Sequence, residues 1–563
     1  MPGWSLVRCR TTEGSIFSRP LDVTETGFFW DAAFNGTADS LIHVQLRLLN
    51  EEDQDIFSEA NLIRTWLSVK QRYPLLGATI DPSGGEPRFV VQECRLININ
   101  PGEFSSDEVN SAEEAQKFAG MILHGSRPLS NNLMARAFIS RQKDRSDVIH
   151  IMVPIAHCIT DGIGNYSFIR CFVDTLSSRS DLPTPTLEKR LAMASPLGDL
   201  VQDGDLTPAM RRWRLAAGFA IFQVRMSKRQ GGHTLPCRLT PPTFREPALS
   251  RQLTTSLSPA HTAAIVANCR RHSITFGNAY LPLAQVAMTR VLYRRYLRGE
   301  IGEEEWQYRK RQPYISGGPL NLRPYLNKEW LDKGGGGELL LAISFFFYQL
   351  PFMTMAPPFA NLLTFNRFLH RANMIKRQAA SLLKHPLSTE IALGSHLGRL
   401  ERTRHGALEW MKSQEEGITL DKGPVLEAIN FPGAIWAHGG SSMGDVDGLL
   451  PREYPLRSTN PLSPRSNIPH PAKAGYVTPL APNDSDDEPK ITMEYFKMHL
   501  HTRPGELYLG AITARKHLHL SVYYDGHVYE DAVVQEWLDE VRHAAVWYLA
   551  QSHLQERSAI PKL

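Results

Sequence analysis

The hydrophobic pattern switches between two periods along the chain. Residues 41–48 (LIHVQLRL) carry apolar side chains at alternate positions and predict a half-buried strand. Residues 59–72 have apolar positions 62, 63, 66, 67 and 69, close to a 3.6-residue repeat, so a helix is predicted that Tyr73–Pro74 stops. A short strand over 88–91 and a helix over 106–118 come next. Residues 133–140 and 148–156 predict a hairpin around the basic turn RQKDR, and 163–176 a helix.

The pattern resumes beyond residue 250. Residues 258–271 predict a helix opened by Ser258, with Pro259 at the first helical position. Residues 275–296 predict another, with Pro282 early in it or at a kink. A strand over 339–350 and helices over 369–383 and 386–413 follow. Next come strands over 428–436, 494–500, 507–512 and 517–524 and a last helix over 531–549; SSMGDVDG (441–448) reads as a turn. Between 181 and 250 prolines and glycines interrupt every period except a helix at 213–226. The expected fold class is therefore α/β, an α+β sandwich in each of two lobes. Residues 1–180 and 251–563 form the lobes and 181–250 the crossover.

Composition narrows the classes. A chain of 563 residues exceeds what one core usually supports, and 42% hydrophobic with 21% charged residues is a globular balance. The net charge of +4, from 62 basic and 58 acidic residues, implies no nucleic-acid partner. Basic pairs such as Arg211–Arg212 read as solvated helix faces. Six cysteines without a CxxC pair read as free thiols in a reducing, cytoplasmic setting, and the N-terminus shows no signal-peptide apolar core. Residues 339–365 lack charge, but Gln349, Asn361 and prolines 351, 357 and 358 argue against a stable membrane span. A strand and buried loop are expected there, a membrane-associating surface being the alternative. The acidic loop at 483–490 reads as disordered.

The apolar run 148–156 ends in His157, and Asp161–Gly162 follows after three residues. A histidine where a strand meets a turn suits a general base, since its ordinary pKa lies near neutral pH. Asp161 orients the imidazole or anchors the loop through an arginine, and Gly162 permits the bend. A hydrogen-bonded histidine beside a helix-capping aspartate reads equally well from the residues alone. His499, His501, His517 and His519 alternate along strands with no cysteine or acidic set to complete a site, so no metal is expected. Neither GxGxxG, a P-loop nor HExxH occurs.

His157-Cys158-Ile159-Thr160-Asp161-Gly162 resembles the HxxxDG motif of the condensation-domain and chloramphenicol-acetyltransferase-like superfamily. RYPLLGA (72–78), TFGNAYLPLAQVAMTRVL, NLRPYL (321–326) and SSMGDVDGLLP (441–451) resemble a fungal branch typified by trichothecene 15-O-acetyltransferases. The likeness spans roughly residues 25–545. It implies two chloramphenicol-acetyltransferase-like lobes around a central active-site tunnel, with His157 Nε2 as general base. Asp161 is then structural support, paired with an arginine the sequence does not single out, and Cys158 a bystander. Acyl-CoA, with acetyl as the expected acyl group, is the implied co-substrate; no cofactor is held permanently. A hydroxyl on a hydrophobic secondary metabolite is the implied acceptor, and the protein is expected to be monomeric.

Two departures matter. Ala156 stands where peptide-forming condensation domains usually carry a first histidine, which favours simple acyl transfer. The DFGWG element of plant-type transferases is missing, and 441–445 is its nearest analogue by place. Ser441 or Ser442 would face the tunnel or donate to the oxyanion, or the stretch is a plain turn. Asn321 and Arg323 would bridge the lobes, or belong to a rigid Pro-flanked loop. A carrier-protein thioester as donor, and a non-catalytic binding protein of the same fold, are the alternative readings.

Overall fold

The computed structural model describes residues 3–11, 14–178, 185–201, 206–240, 243–353, 362–417, 433–473 and 488–551. In chain order the strands are β1 (Ser5–Thr11), β2 (Gly14–Pro20), β3 (Ser40–Leu48), β4 (Thr79–Asp81), β5 (Arg88–Gln92), β6 (Phe104–Val109), β7 (Ala137–Gln142) and β8 (Val148–Ile155). Then come β9 (Ser250–Ser256), β10 (Tyr314–Asn321), β11 (Ile343–Leu350), β12 (His438–Asp445), β13 (Glu453–Tyr454), β14 (Ile491–Leu500), β15 (Leu507–Ala514) and β16 (His517–Asp525). The helices longer than ten residues are α1 (Val23–Ala33), α2 (Glu59–Arg72), α3 (Ala112–His124), α4 (Gly162–Ser178), α5 (Pro208–Ser227), α6 (Pro259–Arg271), α7 (Phe276–Leu297), α8 (Phe365–Leu383), α9 (Ser388–Glu416) and α10 (Asp531–Ala545).

Two six-stranded mixed sheets carry the architecture, in the orders β13-β14-β3-β8-β7-β6 and β11-β10-β12-β15-β16-β9; β1-β2-β5-β4 form a smaller sheet. Every residue of β8 is buried, as its unbroken apolar run requires, and β8 pairs antiparallel with β3 and β7. One core gathers Ile42, Val44, Ile151 and Val153 with Trp66 of α2 and Phe168 and Phe172 of α4. A second core forms around α7 and α10, with Trp537 fully buried. The sheets do not follow sequence order: β13 and β14, from the last quarter of the chain, complete the sheet built by β3, β6, β7 and β8. Leu500 pairs with Ser40 and Ile491 with Leu48, so β14 runs the length of β3.

Caps place the helix starts. Ser58 Oγ accepts from Asn61 N at 3.3 Å and Ser258 Oγ from His261 N at 3.3 Å, with Pro259 at the first helical position. Pro282 lies inside α7 without ending it.

Three local expectations need correction. Residues 106–118 are not one helix: β6 ends at Val109, and α3 starts only after Ser111, which caps it. The last helix is regular to Ala545 and continues as a π turn over Val546–Ala550. SSMGDVDG is a turn only at its end: Ser441–Asp445 belong to β12, paired in parallel with β15, and the turn begins at Asp447. The prolines at 357–358 and most of the 428–436 and 483–490 stretches lie outside the described residues. No helix among the described residues is long and apolar enough to cross a membrane.

Candidate active site

Asp161 is the best-anchored residue of the corner. Its Oδ2 accepts from Arg323 Nη1 at 2.6 Å and from Ala342 N at 2.9 Å, and its Oδ1 accepts from Gly164 N at 3.0 Å. Both partners are buried. Arg323 Nη2 donates to the carbonyls of Glu338 and Leu340, at 3.2 and 3.1 Å, so the guanidinium ties the turn after β8 to the segment leading into β11. The carboxylate is consumed by these bonds, three from donors on both halves of the chain, and makes none to the imidazole. Asn321 Oδ1 accepts from Arg323 N at 3.1 Å, shaping the turn that presents the arginine. Gly162 opens α4 with an ordinary backbone conformation. A Cβ there would lie 3.3 Å from Met443 Cε, so the glycine leaves room for β12.

His157 sits at the first position after Ala156, in a short 3₁₀ turn. Its backbone N donates to Asp39 Oδ1 at 3.2 Å. The imidazole stacks on Phe28 of α1, with centroids 4.1 Å apart and the planes 14° from parallel. The guanidinium of Arg399 lies over the same ring at 4.3 Å. With the imidazole on one face, Arg399 takes the other. Arg399 pairs with Asp31, which also accepts from Arg503 Nη2 at 2.9 Å. His157 Nδ1 is buried without a hydrogen bond to another residue, and the residue lines the cavity described next. Burial holds the imidazole below its ordinary pKa. Its own backbone carbonyl, Asp161 and Asp39 act against that, while Arg503 reinforces it. Cys158 is buried and its thiol is pushed up by burial, the state of an unreactive thiol.

A cavity of about 1050 Å³ opens from His157. It is lined by residues of both large sheets, among them Ser40 and Tyr495 of one and Asn321, Phe345, Ser441 and Ser442 of the other, with Tyr166 of α4 and Arg503. Ser441 Oγ accepts from Tyr508 OH at 2.8 Å, which leaves its own proton free to donate. The sequence reading did not find Phe28, Asp31, Arg399, Arg503 or Tyr508. Residues on four separated segments carry no local signal until the fold joins them. His499 lies in β14 and His517 and His519 in β16, which belong to different sheets. No group of three His, Cys, Asp or Glu among the described residues could hold a metal ion.

Neither the protein-family models nor the curated proteins give a match to this chain. Solved structures do. The trichothecene 15-O-acetyltransferase of Fusarium sporotrichioides superposes with a TM-score of 0.66 at 13% identity, over 97% of this chain and 98% of its own. The condensation domain of the monacolin K polyketide synthase gives 0.57 at 11% identity, over 94% and 97%. The epimerization domain of the third module of tyrocidine synthetase B gives 0.54 at 12%, over 94% and 96%. The fold is thus one shared with a trichothecene 15-O-acetyltransferase, a condensation domain and an epimerization domain.

Proposed function

We propose that the protein transfers an acyl group, acetyl as the expected case, from acyl-CoA to a hydroxyl of a hydrophobic secondary metabolite. The observation that carries this reading is the unequal pair at the corner: a histidine open to a large two-sheet cavity beside an aspartate spent on an internal arginine. His157 Nε2 takes the acceptor O–H proton as the oxygen attacks the thioester carbonyl. The C–S bond then breaks, the thiolate receives the proton from His157, and an ester and free CoA leave. The lowered imidazole pKa supports the step, since the base is neutral at pH 7. Ser441, held by Tyr508, is the side chain in this reading that donates to the oxyanion. The cavity then works as a tunnel, donor and acceptor entering from opposite mouths, in a monomeric cytoplasmic enzyme.

Purified protein incubated with acetyl-CoA and a panel of apolar alcohols should release free CoA together with an acetylated product of matching mass. His157→Ala should lower turnover by about 10²–10⁴-fold while the protein stays folded by circular dichroism. Unchanged turnover in that variant would refute the general-base role. Product formation from an acyl carrier protein but not from acyl-CoA would assign the donor to the carrier class.

A further inference from the structure

Helix α5 presents the wrong face to solvent. It packs against α9 through Gly218, Phe222 and Met226, with Arg214 bound to Glu390. A surface helix ordinarily turns polar residues outward. Positions 209, 213, 216, 220 and 224 recur every three or four residues on the opposite side, and they read Ala, Trp, Ala, Ala, Val. Trp213 is 63% exposed, Val224 55% and, beside them, Met210 46%. Arg212 and Lys228 flank this stripe and are exposed. The surrounding residues 206–245 hold eight Lys and Arg and no Asp or Glu, although the whole chain is nearly neutral.

We propose that the outward face of α5 docks the protein reversibly on a lipid bilayer with anionic headgroups. The charge pattern selects the occupant. A second copy meeting the same helix would bring two uniformly basic surfaces together, which costs energy. Anionic headgroups neutralise Arg212 and Lys228 while Trp213 settles at the interface and Val224 and Met210 reach the acyl boundary. A helix packed on one side and apolar on the other lies in the interface plane and does not span. This proposal stands independently of the transferase reading.

The test is flotation of the full-length protein with vesicles of phosphatidylcholine alone, or containing about one-third phosphatidylserine. The protein should float with the anionic vesicles and stay behind with the neutral ones, and binding should weaken as salt rises toward about 0.5 M. Trp213→Ser with Val224→Ser should lower bound protein about tenfold or more. Arg212→Glu with Lys228→Glu should abolish the preference for anionic vesicles. All four side chains are exposed, so thermal unfolding midpoints should stay near that of the parent. Failure to float with anionic vesicles, or equal flotation of the Trp213/Val224 variant, would overturn the proposal. So would a concentration-dependent dimer that the same variant abolishes, since the face would then belong to a second copy.

Discussion

Asp161 and Arg323 make a closed unit: every strong bond of the carboxylate goes to a buried donor, and the guanidinium returns two bonds to backbone carbonyls. Truncating one member leaves the other charged and unsatisfied in the interior. Arg323→Met should therefore cost about 3–5 kcal/mol in urea unfolding. A loss under about 1 kcal/mol would mean that water replaces the guanidinium and that the pair is no brace. The histidine depends on a different set. Arg503 lines the cavity and its cation disfavours the imidazolium. Arg503→Gln removes that charge, so the His157 pKa should rise and the acid limb of the kcat/KM profile should move to higher pH. Activity at pH 6 then falls more than activity at pH 8. A parallel loss at both values would assign Arg503 to substrate binding alone. Of this constellation the HxxxDG residues were visible in the sequence because their spacing is fixed within one turn, and Arg323 stood out in its Pro-flanked loop, though not as the partner of Asp161. Phe28 stacks on the imidazole and Arg399 covers Phe28, from elements some 370 residues apart, and tertiary packing alone joins them.

Among the elements, β12 shows best why some were legible and others not. The helices announced themselves through caps and apolar period, as in α2 and α6, and β8 through its unbroken apolar run. β12 reads HGGSSMGD and carries no strand signature, since its glycines serve close backbone approach. A Cβ on Gly318 would stand 1.7 Å from Gly440 O, and one on Gly440 only 2.5 Å from Leu509 O. Its order comes from parallel neighbours on both sides, β10 and β15, which a single sequence does not reveal. The error at 106–118 is of another kind, for its signal was present: Ser111 followed by Glu114 marks a helix start. Glu114 Oε2 accepts from Asn110 N at 2.6 Å, and Ser111 Oγ accepts from Glu114 N at 3.5 Å. For β10–β12 the consequence is testable. Gly318→Ala should force the strands apart at the cavity wall and cost about 3 kcal/mol or more. Chemical unfolding measures this, and a change below about 0.5 kcal/mol would show that the close approach is relaxed in solution.

At the scale of the whole molecule, the late strand β14 binds the ends of the chain into one structure. A fragment of residues 1–250 lacks β14 and leaves β3 as a bare, largely buried strand edge. That fragment should be insoluble or lack a cooperative transition in circular dichroism; a folded, soluble fragment would show that the first lobe needs nothing from the second. The same sheet sets an acid limit on the molecule. His43 Nε2 and His150 Nδ1 are 3.1 Å apart, and His150 Nε2 lies 2.9 Å from Gln142 Oε1. The Gln142 amide donates through Nε2 to Asp144 Oδ1 at 2.7 Å, so its oxygen accepts from His150 Nε2–H. Neutral His150 then accepts at Nδ1 from His43, and a proton added there would break the chain. Burial lowers His43 to about 3, His150 to about 4, His499 to about 3 and His501 to about 4. In the unfolded chain each titrates near the ordinary value of about 6.5. The unfolded state therefore binds more protons below that pH, and stability falls as pH drops from about 6.5 toward the folded values. For the deeply buried His43 the loss reaches at most about 2 kcal/mol at pH 5, and for the part-exposed His499 less. Urea midpoints should thus fall between pH 7.5 and pH 5, with proton uptake on unfolding at pH 5. A flat midpoint over that range would mean that these histidines are already charged in the folded protein and that the buried relay is broken.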